Sequence, residues 1–348
     1  MRVLIAASGT GGHIFPALAV AQQLSGAQID WLGVPDRLEQ TLIQDYPLHS
    51  ISVSGFQGRP GLHTLRTLSR LIRAILRVKQ MLKTLNVDVV FTTGGYIAAP
   101  AILAARWQGI PVMLHESNAI PGKVTRLLAR FCTQVAVGFT PAANYLPSSK
   151  TRWTSTPVRE NFLSPQTLEL PVPEAVPLVV VVGGSQGAVA VNQLVRDCAP
   201  AWLATGAYIV HLTGDRDPQA QAFEHPHYIA LPFYHNMAGL LQRATLAVGR
   251  SGAGTLTELA ITQTPAVLIP YPFAAEDHQY HNAMTFVEQE AALVFRQAQL
   301  TAKQLEQAVL ELLQSPERLA KMAAQAETLA VKDSAAQLAQ LLIQYGEA

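Results

Sequence analysis

The sequence is poor in cysteine and in charge. It has only two cysteines, Cys132 and Cys198, in 348 residues, and they lie too far apart to form a CxxC pair. A disulfide framework and a zinc site built from cysteines are therefore excluded, and a reducing compartment is expected. Charged residues make up 14% of the chain and the net charge is +1, so the overall charge does not indicate nucleic-acid binding.

Long hydrophobic runs are also missing. No stretch reaches the roughly 20 uninterrupted apolar residues of a membrane-spanning helix. Residues 1–21 are largely apolar, but the glycines and polar residues of Ser8–His13 interrupt them. A signal peptide needs an unbroken apolar stretch of about 7–15 residues, so we expect a strand and a loop here. The sequence predicts a protein that is soluble or lies on a membrane surface.

What the sequence does contain is two similar units of strand, glycine loop and helix. Leu178–Val182 is an apolar run followed by Gly183–Gly187, and Val3–Ile5 leads in the same way into Ser8–His13. Each apolar run predicts a buried strand, and each glycine loop precedes a helical pattern. Backbone N–H groups at the start of such a helix bind phosphate. The repetition indicates two similar halves, each with an anion site.

The rest of the chain alternates between strands and helices, which predicts an α/β fold with parallel sheets. With 348 residues, 49% of them hydrophobic, the chain is long enough for two domains with separate cores. Five prolines interrupt the pattern between residues 156 and 177, which predicts a linker there. We expect two Rossmann-like domains, residues 1–158 and 159–331, whose ligand loops face each other across a cleft.

The first glycine loop allows more than one interpretation. Gly9, Gly11 and Gly12, with Asp30 about 20 residues further on, suggest a dinucleotide site. The full GxGxxG pattern is not met because isoleucine occupies its last position, so a nicotinamide cofactor is disfavoured. His13 is either a capping or packing residue at the helix start or a general base, since imidazole titrates near neutral pH.

Polar residues also follow the predicted strands of the second half. The segment Arg250–Glu258 opens a helix with small residues, and Glu258 lies about two turns into it. A carboxylate there can accept hydrogen bonds from both hydroxyls of a ribose, and the alternative is a solvated helix residue. Gln279 and Asn282 share a face of the next helix. Their amides suit neutral sugar hydroxyls, and the alternative is a polar helix face.

The triplet Asp215-Arg216-Asp217 has the form of a DxD signature, which binds a metal ion and a diphosphate in some enzymes. It lies in a polar turn after a predicted strand and is followed by Pro218. We interpret it as a helix cap and surface turn. No other pair of carboxylates has a convincing metal spacing, so no metal site is predicted.

Residues 59–83 form a basic stretch without a single acid. It holds seven of the 25 basic residues, interleaved with apolar residues at helical spacing. The pattern predicts an amphipathic helix over Leu62–Leu85, on which each cation near an anionic membrane adds about 1 kcal/mol. The alternative is that the apolar stripe is the core face and the basic side is solvated. The charge density favours membrane contact, expected at Leu68, Ile72, Arg73, Ile75, Arg77 and Lys79.

Several motifs occur in the order found in one enzyme family. They are Gly9–Pro16, Gly94–Tyr96, His115–Asn118, Pro157–Arg159, Gly183–Ala188, Arg250–Ala253 with Glu258, and Gln279–Ala283. Together they resemble the MurG family of peptidoglycan glycosyltransferases over nearly the whole chain. The resemblance implies a glycosyltransferase B-type fold, in which a C-terminal helix, about residues 332–348, packs back on the first domain.

The resemblance also implies a reaction. It is the transfer of N-acetylglucosamine (GlcNAc) from UDP-GlcNAc to the C4 hydroxyl of undecaprenyl-pyrophosphoryl-MurNAc-pentapeptide, which converts lipid I to lipid II in peptidoglycan synthesis. The transfer would invert the anomeric carbon and need neither a metal nor a cofactor. The first domain would bind the acceptor and the second UDP-GlcNAc. The enzyme would lie peripherally on the cytoplasmic side of the inner membrane, bound to its anionic surface.

Site residues follow from the same resemblance. His13 is the leading candidate for the general base and Glu116 the second. The donor-binding residues would be Thr10, Gly11, Gly12, Asn118, Arg159, Ser185, Gln186, Tyr234, Arg250, Ser251, Glu258, Gln279 and Asn282. The acceptor-binding residues would be Gly9, Thr10, Gly94, Gly95, Tyr96 and Asn118.

Three other functions remain open at this point. A UDP-GlcNAc 2-epimerase uses the same general fold and the same nucleotide sugar, but it needs no lipid surface, so the basic helix counts against it. A nicotinamide oxidoreductase is disfavoured by the incomplete glycine pattern. A non-catalytic subunit that docks a partner on the membrane would not need Glu258 and Gln279.

Overall fold

The computed structural model describes residues 1–53, 62–184 and 187–347, and of residues 62–66 it describes the backbone alone. The chain divides into two compact units. The first comprises Met1–Arg159 together with Lys332–Ala348, and the second comprises Glu160–Val331. Among the described residues, none of the helices combines the length and apolar character that a bilayer crossing needs.

The first unit is built on a parallel sheet. Its strands are β1 (Arg2–Ala6), β2 (Gln28–Gly33), β3 (Leu48–Ser50), β4 (Val89–Thr92), β5 (Val112–Glu116), β6 (Gln134–Val137) and β7 (Thr151–Trp153). They are arranged in the order β3-β2-β1-β4-β5-β6-β7. The chain leaves β1 to one side for β2 and later returns to its other side as β4. Strand order therefore reverses at β1 and β4, where parallel sheets bind ligands.

The second unit repeats this plan. Its strands are β8 (Leu178–Val182), β9 (Tyr208–Leu212), β10 (Tyr228–Leu231), β11 (Leu246–Gly249), β12 (Ala266–Leu268) and β13 (Ala292–Val294). They pair in parallel in the order β10-β9-β8-β11-β12-β13. Strand order here reverses at β8 and β11, which are the counterparts of β1 and β4.

Helices connect the strands and cover both faces of each sheet. They are α1 (Gly11–Gln23), α2 (Glu39–Leu42), α3 (Leu62–Leu85), α4 (Ala98–Gln108), α5 (Lys123–Leu128), α6 (Val189–Leu203), α7 (Met237–Arg243), α8 (Ala253–Ile261), α9 (His278–Val287), α10 (Ala302–Leu313), α11 (Pro316–Thr328) and α12 (Ser334–Gly346). Capping residues determine where several of these helices begin or end. Thr301 and Gln304 form a capping box at α10, Pro316 opens α11, and α4 ends at Gly109 with φ 75°.

The central strands are buried on both faces because successive side chains point to opposite sides of the sheet. In β1, Leu4 joins the core under α3 and α4, while Val3 joins the core under α1. The last helix, α12, also belongs to this second core, where Leu338 and Leu342 are fully buried. The C-terminal segment therefore packs against α1 within the first unit.

Some predicted elements differ from the observed ones. The pattern of Pro35–Asp45 predicts a helix, but the structure has only the single turn α2 there. Asp36 adopts a left-handed φ of 58° and Glu39 is buried as a hydrogen-bond acceptor. The short strands β6 and β7 and the helix α5 lack a clear period and were not anticipated from the sequence. The two strands predicted from apolar runs are both present: β8 coincides with Leu178–Val182, and β1 includes Val3–Ile5.

Asp30 lies inside β2 and not at its tip. Its carboxylate accepts hydrogen bonds from Arg2 Nε at 2.8 Å and His49 Nε2 at 2.7 Å. Burial alone would raise the pKa of Asp30, but these bonds outweigh it and hold the pKa below its usual value. The acid that a dinucleotide site would need is thus part of a structural ion pair.

Asp215 and Arg216 form the exposed turn that we expected, but the residues that follow form turns and not a helix, so the expected helix cap is wrong. Asp217 is buried, and its Oδ2 accepts hydrogen bonds from Arg196 Nη1 and Asn192 Nδ2, both at 2.8 Å. Burial alone would raise the pKa of Asp217, but these hydrogen bonds keep it below its usual value. Asn192 also contacts His211, whose pKa is lowered to about 4 by burial. The buried cluster therefore pairs one acid with one cation beside a neutral histidine.

We predict that the Asp217–Arg196 ion pair stabilises the second unit. Replacing a buried ion-pair partner leaves an uncompensated charge, so Asp217→Asn should cost about 3–5 kcal/mol at pH 7. Because the folded pKa of Asp217 is lowered, its contribution is present above the unfolded pKa of about 3.9 and is lost below it. Urea unfolding followed by circular dichroism should show a difference in unfolding free energy between wild type and Asp217→Asn. This difference should become smaller below about pH 4.

The matched control for this prediction is Asp215→Asn, which makes the same charge change at an exposed position two residues away. It should shift the unfolding free energy by about 0.5 kcal/mol or less. Equal losses in the two variants would contradict the structural role assigned to Asp217.

Candidate active site

The predicted site residues of the first unit lie at the carboxyl ends of β1, β4 and β5. Residues 8–13 follow β1 and begin α1, residues 93–96 follow β4, and residues 117–122 follow β5. These strands are neighbours in the sheet, so their loops lie at one edge. The structure thus brings together residues that are more than 100 positions apart in the sequence.

His13 is held in one tautomer by the loop that follows β4. Its Nδ1 lies 2.7 Å from the carbonyl oxygen of Thr93, and Thr93 Oγ1 donates to the carbonyl oxygen of His13 at 2.9 Å. A carbonyl oxygen only accepts hydrogen bonds, so Nδ1 must carry the proton. Nε2 of the neutral ring is therefore a proton acceptor, and it faces Gly95, where an added Cβ would lie 3.7 Å away.

The glycine loop before His13 is organised by a buried acid that the sequence did not reveal. Glu39 is fully buried, and its carboxylate accepts hydrogen bonds from Ser8 Oγ, from Gly9 N and from Val34 N. Gly9 has φ 106°, a conformation that L residues rarely adopt. Thr10 is exposed, and its side chain makes no capping bond at the start of α1. No sequence pattern pointed to Glu39.

Glu116, the second candidate for the general base, holds a loop in place through hydrogen bonds. It ends β5, is almost fully buried, and accepts hydrogen bonds at Oε1 from Asn118 N and Nδ2 and at Oε2 from Gly122 N. Each bond measures 3.1 Å. Both carboxylate oxygens therefore hold the loop after β5 in place, which argues against Glu116 as the general base. Asn118 stays half-buried at the edge of the site.

The remaining residues expected in the first unit lie close by. Gly94 and Gly95 have left-handed φ values of 89° and 74°, and Tyr96, which follows them, is 51% exposed. The guanidinium of Arg159 lies 4.6 Å from the centroid of the Phe15 ring on α1. Gly11 must be small at this point, because an added Cβ would come within 2.8 Å of the same ring.

In the second unit, the loop after β8 needs its glycines. Gly187 has φ 74°, and an added Cβ would overlap the carbonyl oxygen of Thr213. An added Cβ on Gly183 would come within 2.7 Å of Ala188 N. Ser185 and Gln186, which were expected to contact the donor, lie outside the described residues.

The starts of α8 and α9 are tied together by buried polar side chains. Ser251 Oγ donates to Gln279 O at 2.8 Å, and Asn282 Nδ2 donates to Ser251 O at 3.3 Å. Both side chains are fully buried. This corrects the expectation of direct ligand contact by the Ser251 and Asn282 side chains, which support the site from beneath. Gln279 and Glu258 are half-buried.

Gln279 also has a fixed amide orientation. Its Oε1 accepts a hydrogen bond from Tyr271 N at 2.9 Å. The amide oxygen is therefore identified by its donor, and the Nε2 group is the donor end of the amide.

The Arg250 side chain turns inward, unlike the nucleotide contact expected of it, whereas the contact expected of Tyr234 is with its backbone. Arg250 Nη1 donates to Ile269 O at 2.9 Å and to Pro270 O at 3.1 Å, and Nη2 donates to Gln297 Oε1 at 2.7 Å. Burial lowers the pKa of its guanidinium. The side chain of Tyr234 is buried and its Oη accepts from Glu169 N, so only its backbone remains for a base contact.

The helix α3 carries two separate apolar faces. Ala74, Val78 and Leu82 are buried in the core, whereas Leu68, Ile72 and Leu76 are 45%, 49% and 48% exposed. Ile75 is half-buried and packs in part against the core, so its membrane contact stays a prediction, whereas Leu76 lies in the exposed stripe. Consecutive side chains of an α-helix point about 100° apart around its axis, so Ile75 and Leu76 lie on different faces of α3.

Basic side chains border this exposed stripe. Arg73 and Arg77 are exposed, and Lys79 Nζ lies 3.7 Å from the centroid of the Trp107 ring on α4. Trp107 itself is 61% exposed, and no pattern in the sequence had pointed to it. Arg59 and the side chain of Arg66 lie outside the described part of the chain.

Metal-binding groups are not assembled in this region. Within residues 1–53, 62–184 and 187–347, no group of three or more histidine, cysteine or acidic side chains could hold a metal ion. The Asp217 carboxylate of the DxD triplet is already paired with Arg196. Asp217 therefore does not face a ligand site.

Comparison with known proteins agrees with this architecture. Residues 3–137 match the glycosyltransferase family 28 N-terminal domain, and residues 178–338 match its C-terminal domain. The solved structure of Acinetobacter baumannii MurG superposes with a TM-score of 0.79 at 32% identity, covering 99% of both chains. The prediction of two Rossmann-like domains in a glycosyltransferase B-type fold is confirmed. A UDP-GlcNAc 2-epimerase from Neisseria meningitidis gives a TM-score of 0.69 at 14% identity, which shows a shared fold alone.

Curated relatives are closer in sequence. A Rippkaea orientalis protein is 68% identical over 342 residues, which cover 98% of this chain and 97% of that protein. A Synechocystis protein is 61% identical over 343 residues, covering 98% and 97%. Both are named UDP-N-acetylglucosamine–N-acetylmuramyl-(pentapeptide) pyrophosphoryl-undecaprenol N-acetylglucosamine transferase. The chain therefore belongs to glycosyltransferase family 28 and, within it, to the MurG family of N-acetylglucosamine transferases.

Proposed function

We propose that the protein transfers GlcNAc from UDP-GlcNAc to the C4 hydroxyl of undecaprenyl-pyrophosphoryl-MurNAc-pentapeptide. The observation that carries the proposal is the full-length likeness to transferases named for this reaction. The reaction is a single displacement. The acceptor oxygen bonds to the anomeric carbon, the bond from that carbon to the diphosphate oxygen breaks, and UDP leaves with the electron pair. The α-linked donor thereby gives a β-1,4 bond.

The second unit binds the donor in this proposal. The half-buried Glu258 accepts hydrogen bonds from the ribose hydroxyls, and Gln279 Nε2 donates to a hydroxyl of the sugar. The backbone at Tyr234 reads the uracil. The loop at residues 183–187, with Ser185 and Gln186, holds the diphosphate before the start of α6. Its N–H groups and the helix dipole offset the charge of the leaving UDP without a metal ion.

The first unit binds the acceptor and supplies the base. His13 Nε2 takes the proton of the C4 hydroxyl, and the imidazolium that forms keeps its Nδ1–H bond to Thr93 O. Gly9, Thr10, Gly94, Gly95, Tyr96 and Asn118 surround the acceptor diphosphate. Glu116 acts through the loop it holds. Its two oxygens already accept three N–H bonds, so the proton goes to His13.

Membrane contact is the other part of the proposal. The exposed stripe of Leu68, Ile72 and Leu76 inserts its side chains among the lipids of the inner membrane, at its cytoplasmic face. Arg73 and Arg77 lie beside the stripe and attract anionic headgroups. The buried face of α3 already supplies the core contact, so the exposed apolar side chains are not needed there. An anionic lipid surface complements both features.

Transfer of radiolabelled GlcNAc to a short-chain lipid-linked acceptor tests the reaction itself. Product should form in the presence of EDTA, because Asp217 is committed to Arg196 and the diphosphate charge is offset by backbone groups. Activity that appears only with added metal would overturn this metal-independent mechanism. Incubation with UDP-GlcNAc alone should give no UDP-ManNAc, and its formation would favour an epimerase instead.

The base is tested by His13→Ala. Loss of a general base should lower kcat by about 10²–10⁴-fold at saturating acceptor and donor. The control is His225→Ala, which removes an exposed histidine from the second unit and should leave kcat unchanged. A loss smaller than tenfold for His13→Ala would exclude this histidine as the base.

Membrane contact is tested by sedimentation with phosphatidylglycerol-containing vesicles. Arg73→Gln with Arg77→Gln should weaken binding by about fivefold per charge at low salt, and less as salt rises. Changing Leu68, Ile72 and Leu76 together to serine should weaken binding at every salt concentration. Arg318→Gln removes one exposed charge from α11 and serves as the control. Equal binding by all variants would contradict the proposed contact.

A further inference from the structure

Two adjacent residues after β13 each hold a different loop of the donor half. Arg296 and Gln297 follow the strand Ala292–Val294, and neither is among the residues expected to contact the donor. Arg296 contacts the turn that precedes α9, and Gln297 contacts Arg250 at the end of β11. This short segment thus links Arg250, which follows β11, to the turn before α9, the helix that carries Gln279.

The turn before α9 has an uncommon backbone. Glu276 and Asp277 are consecutive non-glycine residues in the left-handed region, with φ 53° and 55°. Such residues persist where surrounding contacts hold them. Arg296 Nη1 lies 2.8 Å from Asp277 Oδ2, and its guanidinium lies 3.7 Å from the centroid of the Tyr280 ring. Arg296 therefore contacts one residue before Gln279 in the sequence, Asp277, and one after it, Tyr280.

The second connection reaches the same residue by another route. Gln297 Oε1 accepts a hydrogen bond from Arg250 Nη2 at 2.7 Å, which leaves Arg250 Nη1 aimed at Ile269 O and Pro270 O. The next residue, Tyr271, donates its backbone N–H to Gln279 Oε1 at 2.9 Å. That bond sets which way the Gln279 amide points.

We propose that Arg296 and Gln297 are positioning residues that orient the Gln279 amide toward the sugar of the donor, and so favour UDP-GlcNAc over UDP. The inference rests on the proposed function. Arg296 fixes the start of α9, Gln297 fixes the backbone partner of Gln279, and together they present Nε2 as the donor. Uracil and ribose contacts come from other parts of the unit, so they do not depend on this pair.

Binding of UDP and UDP-GlcNAc to the full chain, measured by isothermal titration calorimetry, tests the inference. Arg296→Gln should raise the Kd for UDP-GlcNAc about tenfold, the effect of one misplaced hydrogen bond, with less than about a twofold change for UDP. In transfer assays, KM for UDP-GlcNAc should rise more than kcat falls. Arg296→Lys keeps the charge beside Asp277 and should restore part of the affinity for the sugar nucleotide.

A second variant distinguishes the effect of the ion pair from the effect of the left-handed backbone at Asp277. Asp277→Asn removes the charge, yet asparagine tolerates the left-handed conformation, so the same selective loss is expected without unfolding. Lys321→Gln is the control, because it breaks the exposed Lys321–Glu290 ion pair of the same unit and should change neither Kd.

Three results would overturn the inference. If Arg296→Gln and Asp277→Asn lowered the affinities for UDP and UDP-GlcNAc equally, Arg296 and Gln297 would not act on the contact with the sugar. Unchanged affinities in both Arg296→Gln and Asp277→Asn would show that the contacts are incidental. Failure of the wild-type chain to bind either nucleotide would instead remove the proposed function, and this inference with it.

Discussion

The parallel arrangement of the strands is the constraint on which the rest of the structure depends. In a parallel sheet every strand ends at the same edge, so each loop that follows a strand lies beside the others. That is how His13, Thr93 and Glu116 come to lie at one edge, although the first two follow β1 and β4 and the third ends β5. The same geometry gathers the loops after β11, β12 and β13, which Arg250 and Arg296 connect. Without this common edge, neither set of contacts could form.

Buried polar groups beneath the loops provide the next level of organisation. Glu39 holds the loop before α1, Glu116 holds the loop after β5, and Arg250 holds the carbonyl groups after β12. Each is a charged side chain whose hydrogen bonds go largely to backbone groups. Burying such a charge is costly unless it is fully hydrogen-bonded, so each charge enforces one loop conformation. The residues that remain exposed above them are then free to bind substrate.

Sequence reasoning recovered the fold well because its signals are local. Leu178–Val182 is strongly apolar and ends in glycine, and it matches β8 residue for residue. By contrast, β7 is a three-residue edge strand with exposed Arg152, which carries no period. The errors in the site have one cause. A polar residue after a strand looks the same whether it meets a ligand or a backbone group, and only the structure showed that Asn282 and Arg250 turn inward.

The hydrogen bond of His13 to a backbone carbonyl, and not to a carboxylate, suits the negative charge of the proposed glycosyl acceptor. A backbone carbonyl fixes the imidazole tautomer as firmly as a carboxylate would, but it adds no negative charge. The acceptor carries a diphosphate, and a second anion nearby would repel it at short range. The two carboxylates in this region, Glu39 and Glu116, each accept three hydrogen bonds, which disperse their negative charge over the donors. The proposed base is therefore paired with a backbone dipole and not with a carboxylate, which is the arrangement that suits the diphosphate of the proposed acceptor.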